Sequence, residues 1–139
     1  MHFTNSNTSR DNKIQHLKNL ASLARVDGEL DPSEILFLYK IGKRFELNPQ
    51  LIAELLSLKD EGYHVNAQNK EQNLEQLSDL VGMMLADGII RDKELQFCKR
   101  ICEKFGFKES SLDILISLYS KEKITPQDWE EVRLKILTT

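Results

Sequence analysis

Residues 14–58 align with residues 74–118 without a gap, at a constant offset of sixty positions. The most similar stretch reads Asp27-Gly28-Glu29-Leu30-Asp31-Pro32-Ser33-Glu34 in the first copy and Asp87-Gly88-Ile89-Ile90-Arg91-Asp92-Lys93-Glu94 in the second, a shared Asp-Gly-x-(Leu/Ile)-x-x-x-Glu. Around it, Leu17/Leu77, Leu20/Leu80, Phe37/Phe97, Ile41/Ile101, Phe45/Phe105, Leu55/Leu115, Ser57/Ser117 and Leu58/Leu118 keep the same register. Most of these positions are apolar and recur at helical spacing, so they describe one core used twice. The duplicated carboxylates are a different matter, because a core has no use for them.

The apolar spacing predicts an all-α chain of about seven helices, one domain built from two pseudo-repeated helical units. Residues 1–10 read as a polar tail and 11–139 as the helical domain. A first helix over roughly 11–26 carries Ile14, Leu17, Leu20, Ala21 and Ala24 on one stripe, and Gly28 closes it with left-handed backbone. Leu30 and its counterpart Ile90 are expected to plug the space between helices. Asp31-Pro32-Ser33-Glu34 is a helix start: Asp31 caps, Pro32 takes the first turn, and Glu34 reaches back to the cap amide. This second helix runs to Phe45, and Asn48-Pro49 opens a short third one. Residues 59–70, with Gly62 and Asn66, form the connector between copies. The second copy repeats the pattern with helices near 92–104 and 110–119. Thr125-Pro126-Gln127-Asp128 then caps a last helix over 125–137, with Ile124 placed to staple against Trp129.

With 139 residues and 29% charged side chains, but only six Gly and three Pro, the composition suits a folded helical chain able to bury a core. A net charge of −3 gives no electrostatic case for a nucleic-acid partner. No apolar run reaches the ~18–20 residues of a membrane span. Met1 to Asn7 show neither a basic start nor an apolar stretch, so the cytoplasm is the expected location. Cys98 and Cys102, one helical turn apart, have Leu38 and Gly42 as counterparts and read as core filling rather than as a redox or zinc site. Glu61 and His64 have the Glu-x-x-His spacing of di-iron bundles, but only once and in a glycine-containing loop. No nucleophile elbow or phosphate cradle is present, so no catalytic role is expected.

The carboxylates allow two readings. As a calcium loop, Asp27 to Glu34 would form the second half of an EF-hand, yet the leading ligand positions hold Leu23 and Arg25, and Met83 and Leu85 in the second copy. Calcium takes about 6–8 oxygens, so neither copy makes an independent EF-hand. If the two copies pack about a pseudo-twofold axis, however, Asp27, Glu34, Asp87 and Glu94 converge on a site suited to calcium, magnesium or manganese. The same residues also make ordinary turns and helix starts. Lys40, Lys43 and Arg44, with Lys99, Arg100 and Lys104, decorate the outer faces of the repeated second helices. They form either a solvated surface or a docking patch for an acidic partner.

The doubled motif, following Leu23-Ala24-Arg25-Val26 and Met83-Met84-Leu85-Ala86, resembles the tellurite-resistance TerB family over roughly residues 14–120. Related domains occur at the N-terminus of a membrane-anchored DnaJ-like co-chaperone. The resemblance implies an all-helical domain with an internal pseudo-repeat, working in stress-response and tellurite-resistance systems. It further implies a metal-holding acidic cluster, which by position is Asp27, Asp31 and Glu34 with Asp87 and Glu94. The chain departs from the pattern at Arg91, which stands where the first copy has Asp31. The expectation is thus a non-enzymatic binding module, with a divalent cation as cofactor and a protein as partner. The alternative is a metal-independent interaction scaffold using a helical groove or the basic helix faces.

Overall fold

The computed structural model describes residues 10–26, 28, 30–57 and 69–139. Among them are seven α-helices and no strand, as the periodicity requires: α1 (Arg10–Ala24), α2 (Pro32–Arg44), α3 (Pro49–Ser57), α4 (Lys70–Met84), α5 (Asp92–Lys104), α6 (Glu109–Tyr119) and α7 (Pro126–Leu137). The chain divides into two compact units, Met1–Asn66 and Ala67–Thr139. The expected connector falls largely outside the described residues, as does most of the N-terminal tail, although Arg10 is already helical. Helices α1 and α4, and likewise α2 and α5, keep the sixty-residue offset at both ends.

In the first unit α1, α2 and α3 pack mutually, enclosing Leu17, Leu20, Leu38, Ile41, Ile52 and Leu55. Asp31 and Glu34 complete the expected capping box of α2, and Asn48 caps α3 by accepting from the Leu51 amide at 2.9 Å. Gly42 lies where α2 meets α3, and a β-carbon there would run into the Ile52 side chain. The guanidinium of Arg25 bonds the carbonyl of Leu56, one of the free carbonyls at the end of α3. Burial on α1 extends beyond the expected stripe. Asn19, Ser22 and Leu23 are buried along with Leu20, Ala21 and Ala24, so the second half of this helix is enclosed on more than one side.

In the second unit α4 packs on α5, α6 and α7, around Leu74, Leu77, Leu80, Ile101, Leu112, Leu115 and Ile136. Asn69 with Gln72 and Thr125 with Asp128 form capping boxes for α4 and α7. Arg133 ties α7 to α4 through Glu71 at 2.6 Å while also holding Glu130. Cys102 and Leu112 occupy the positions of Gly42 and Ile52, so the two cores divide their volume differently.

Two expectations need correction. Helix α1 ends at Ala24 and α4 at Met84, short of the glycines. Tighter turns follow, in which the Val26 amide bonds Leu23 and the Gly28 amide bonds Arg25, before the positive φ of 96° at Gly28 and 79° at Gly88. Nor is Ile90 a buried plug. It is 45% exposed, with Ile89 exposed beside it, while Leu30 is half-buried. An apolar residue in a turn is drawn inward only if the flanking helices leave a gap for it, and sequence spacing cannot report that gap.

Both α2 and α5 end in the same motif. The amides two residues past the cap, Leu47 and Phe107, reach back to the carbonyls of Gly42 and Cys102, which demands left-handed backbone at the residue before. The second unit supplies Gly106 there, whereas the first supplies Glu46 at φ 61°. A side chain in that conformation costs roughly 1–2 kcal/mol, partly offset by the greater chain entropy that glycine loses on folding. Glu46→Gly is therefore expected to stabilise the protein by about 0.5–1 kcal/mol, read as a higher denaturation midpoint with unchanged slope. Lower stability would refute this account.

Asp128 gives a second test. Lys121, 2.8 Å away, and the Thr125 capping contacts hold its carboxyl down from an ordinary 3.8 to about 2. Because the folded value lies below the unfolded one, this stabilisation is complete above the unfolded pKa and fades as pH falls towards 2. Melting temperatures of wild type and Asp128→Asn should differ at pH 5 and converge as the pH approaches about 2. A constant gap would exclude the linkage.

Candidate functional site

Each unit places its carboxylates at the corner between its first two helices. In the first corner Asp31 has extended backbone (φ −76°, ψ 139°), and its Oδ1 accepts from the Ser33 amide at 2.9 Å and the Ser33 hydroxyl at 2.5 Å. Glu34, in the first turn of α2, accepts through Oε1 from the Asp31 amide at 3.2 Å. That contact holds the side chain inside the corner, only 3% exposed. Its other oxygen, Oε2, is buried and has no hydrogen-bond partner among the described residues. Asp27 lies outside the described residues.

The second corner is built differently. Asp87 accepts from the Ile89 amide at 3.0 Å through Oδ1, a local turn rather than a cap for α5. Its Oδ2 lies 2.7 Å from the guanidinium of Arg91. The same guanidinium lies 3.6 Å from Glu94 Oε1, on a carboxylate that is 1% exposed. Arg91 thus stands between the two acids of its corner and holds the Asp87 carboxyl below its ordinary range. In the sequence Arg91 stands out as a departure from the acidic pattern. Its spacing of four residues from Asp87 and three from Glu94 was the signal that it pairs with both. Asp92, the acid next to it, is exposed on the first turn of α5.

Of the five expected ligands, then, Asp31 and Glu34 share one corner, and Asp87 and Glu94 share the other with Arg91. Among the described residues no group of three or more His, Cys, Asp or Glu side chains is placed to hold a metal ion. Leu23 and Met83, at the would-be leading positions of a calcium loop, are buried on α1 and α4. The expected Glu61–His64 pair falls outside the described residues.

The other candidates have plainer roles. Lys40, Lys43, Arg44, Lys99, Arg100 and Lys104 are all exposed. Some have partners within the molecule: Lys99 pairs with Glu109 at 3.3 Å, and Arg44 and Arg100 lie over the Phe45 and Phe97 rings. An open groove between α6 and α7 includes Asp113, Ile114, Lys121, Asp128, Glu131 and Lys135 in its lining, with charges of both signs. Among the described residues no helix is long and apolar enough to cross a membrane.

Cys98 and Cys102 are buried in α5, as expected of core residues. Burial, followed by the nearby acids, pushes the thiols up to about 12 and about 11. Cys102 Sγ also donates to the Lys108 carbonyl at 3.4 Å. Thiolate is the reactive form, so native protein at pH 7 should react with a thiol reagent roughly a hundredfold more slowly than protein unfolded in denaturant. Equal rates would contradict the burial. Comparison of the chain with protein-family models, curated proteins and solved structures finds no match.

Proposed function

We propose that the protein is a non-enzymatic binding module whose first corner takes a divalent cation on Glu34, with further oxygens from Asp31 and, by its place in the sequence, Asp27. The observation that carries this reading is Glu34 Oε2, a buried carboxylate oxygen with no hydrogen-bond partner among the described residues. Leaving such a group unsatisfied costs about 1–3 kcal/mol, and more when it is charged. The capping bond to the Asp31 amide keeps the carboxylate from swinging out to water. A hard cation satisfies that oxygen directly, and calcium, magnesium and manganese all take carboxylate, carbonyl and water oxygens. The resemblance to the TerB family supplies the context, a cytoplasmic stress-response or tellurite-resistance system in which this domain also meets a protein partner.

One observation favours the scaffold reading instead. Leu36, 71% exposed on α2, lies on the same face as Lys40, Lys43 and Arg44, so this face offers an apolar contact beside three positive charges. An acidic protein segment is the occupant such a face would take.

Thermal shift separates the two. Under the metal reading, calcium, magnesium or manganese at one hundred times its dissociation constant adds about 2.7 kcal/mol, a rise of several degrees. The Asp27→Asn/Glu34→Gln variant should lose that rise. Indifference of the wild type to all three ions, or an equal response from the variant, overturns the metal reading. Metal indifference together with binding of an acidic peptide that Lys40→Glu/Lys43→Glu abolishes favours the scaffold.

A further inference from the structure

The two corners differ most at one position, where the first has Asp31 and the second has Arg91. Asp31 serves the helix it precedes, accepting from Ser33 and completing a capping box. Arg91 occupies the same cap position of α5 with extended backbone and makes no side-chain cap bond. Arginine has no acceptor for the free amides of a helix start, so helix capping does not explain its presence. What it does instead is electrostatic. Its guanidinium contacts Asp87 Oδ2 at 2.7 Å and approaches Glu94 Oε1 at 3.6 Å, and Glu94 is nine-tenths buried and more.

The counterpart of Glu94 is Glu34, equally enclosed and at the same step of its helix. Residue 31 beside it is itself an acid, and Glu34 Oε2 has no hydrogen-bond partner among the described residues. What separates the corners is charge rather than hydrogen bonding: Arg91 brings a guanidinium to 3.6 Å from Glu94 Oε1, an ion pair longer than a hydrogen bond, whereas residue 31 beside Glu34 is an acid.

We infer that Arg91 is a tethered counter-ion, standing where the first corner takes a divalent cation from solution. The second corner is in effect already filled. The protein then binds one ion per chain, at Glu34, and the ion acts on the start of α2 while leaving the start of α5 unchanged. The first-corner half of this inference rests on the proposed function; the assignment of Arg91 does not. A guanidinium and a divalent cation are comparable here because each can contact two carboxylates at once, although the guanidinium cancels only one of the two negative charges. They differ in that the guanidinium is always present and the ion depends on its concentration.

The test uses the full chain with manganese as the probe, measuring ion stoichiometry and residue-resolved amide exchange. In the wild type one ion should bind. At about ten times its dissociation constant, the amides of residues 33–35 should exchange about tenfold more slowly, while those at 92–95 stay unchanged. Arg91→Asp, which restores the acid of the first copy, should bind an additional ion and make amides 92–95 ion-sensitive. Arg91→Lys, which keeps a tethered charge, should behave as wild type. Two ions on the wild type, or ion-sensitive amides at 92–95 before mutation, overturn the inference. So does a folded Arg91→Asp variant that gains no ion. Should that variant not fold, Arg91→Gln takes its place, and insensitivity of its amides 92–95 is equally fatal. A wild type that binds nothing, with an Arg91→Asp variant that binds one ion at α5, would remove the proposed function and leave the counter-ion assignment standing.

Discussion

A carboxylate buried at the first turn of a helix must be satisfied on both of its oxygens, and this constraint governs both corners of the molecule. Glu34 and Glu94 are each buried at the third residue of the second helix of their unit. For Glu34, the reciprocal bond to the Asp31 amide fixes the inward rotamer. A helix start favours an acid, since free amides and the positive end of the dipole lie close by. That preference satisfies one oxygen of Glu34 and leaves the second as a separate problem. In the second corner a guanidinium lies 3.6 Å from Glu94 Oε1, a positive charge that the first copy of the motif, with Asp31 at the matching position, does not supply.

The helices that hold these corners owe little to propensity alone. The local devices are ordinary: proline after a cap at Pro32, Pro49 and Pro126, reciprocal caps at Asn69 and Thr125, and a left-handed residue after α2 and α5. At α2 they fix where the helix begins, and with it the direction in which Glu34 points, whereas α5 follows Arg91, which makes no side-chain cap bond. The copies nevertheless diverge wherever a neighbour can compensate. Gly42 gives Ile52 room to approach α2, while Cys102 fills that space opposite Leu112. Glu46 accepts a strained backbone that Gly106 adopts freely.

Much of this was legible in the residues, and what was not has definite causes. The seven helices follow from apolar spacing and cap residues, which are local signals, and the helix expected near 92–104 spans Asp92–Lys104. The enclosure of Asn19 and Ser22, and the exposure of Ile90, were not legible, because burial depends on what surrounds a helix rather than on the helix itself. At the candidate site, the capping role of Glu34 could be read from its spacing to Asp31, but the isolation of its second oxygen could not. A sequence says which polar groups are near a helix start; only coordinates say which of their atoms lack a partner. Arg91 was visible as a departure from the repeat, but its pairing was not. Geometry turns the same charge into the counter-ion of its corner.

That pairing bears on how a duplicated acidic motif should be read. Counting carboxylates treats Asp27, Asp31, Glu34, Asp87 and Glu94 as one pool of ligands and Arg91 as a flaw in it. Charge balance within each corner gives a different partition. Asp87 and Glu94 carry two negative charges that one guanidinium partly neutralises without any exchangeable species. A base rather than an acid at position 91 changes the corner by two units of charge, leaving it with a single net negative charge among Asp87, Arg91 and Glu94. Such a replacement also gives up the helix cap that Asp31 provides, a loss of about 0.5–2 kcal/mol. A buried acid left without any cation would cost at least as much. The exchange of cap for counter-ion is therefore close to neutral for stability.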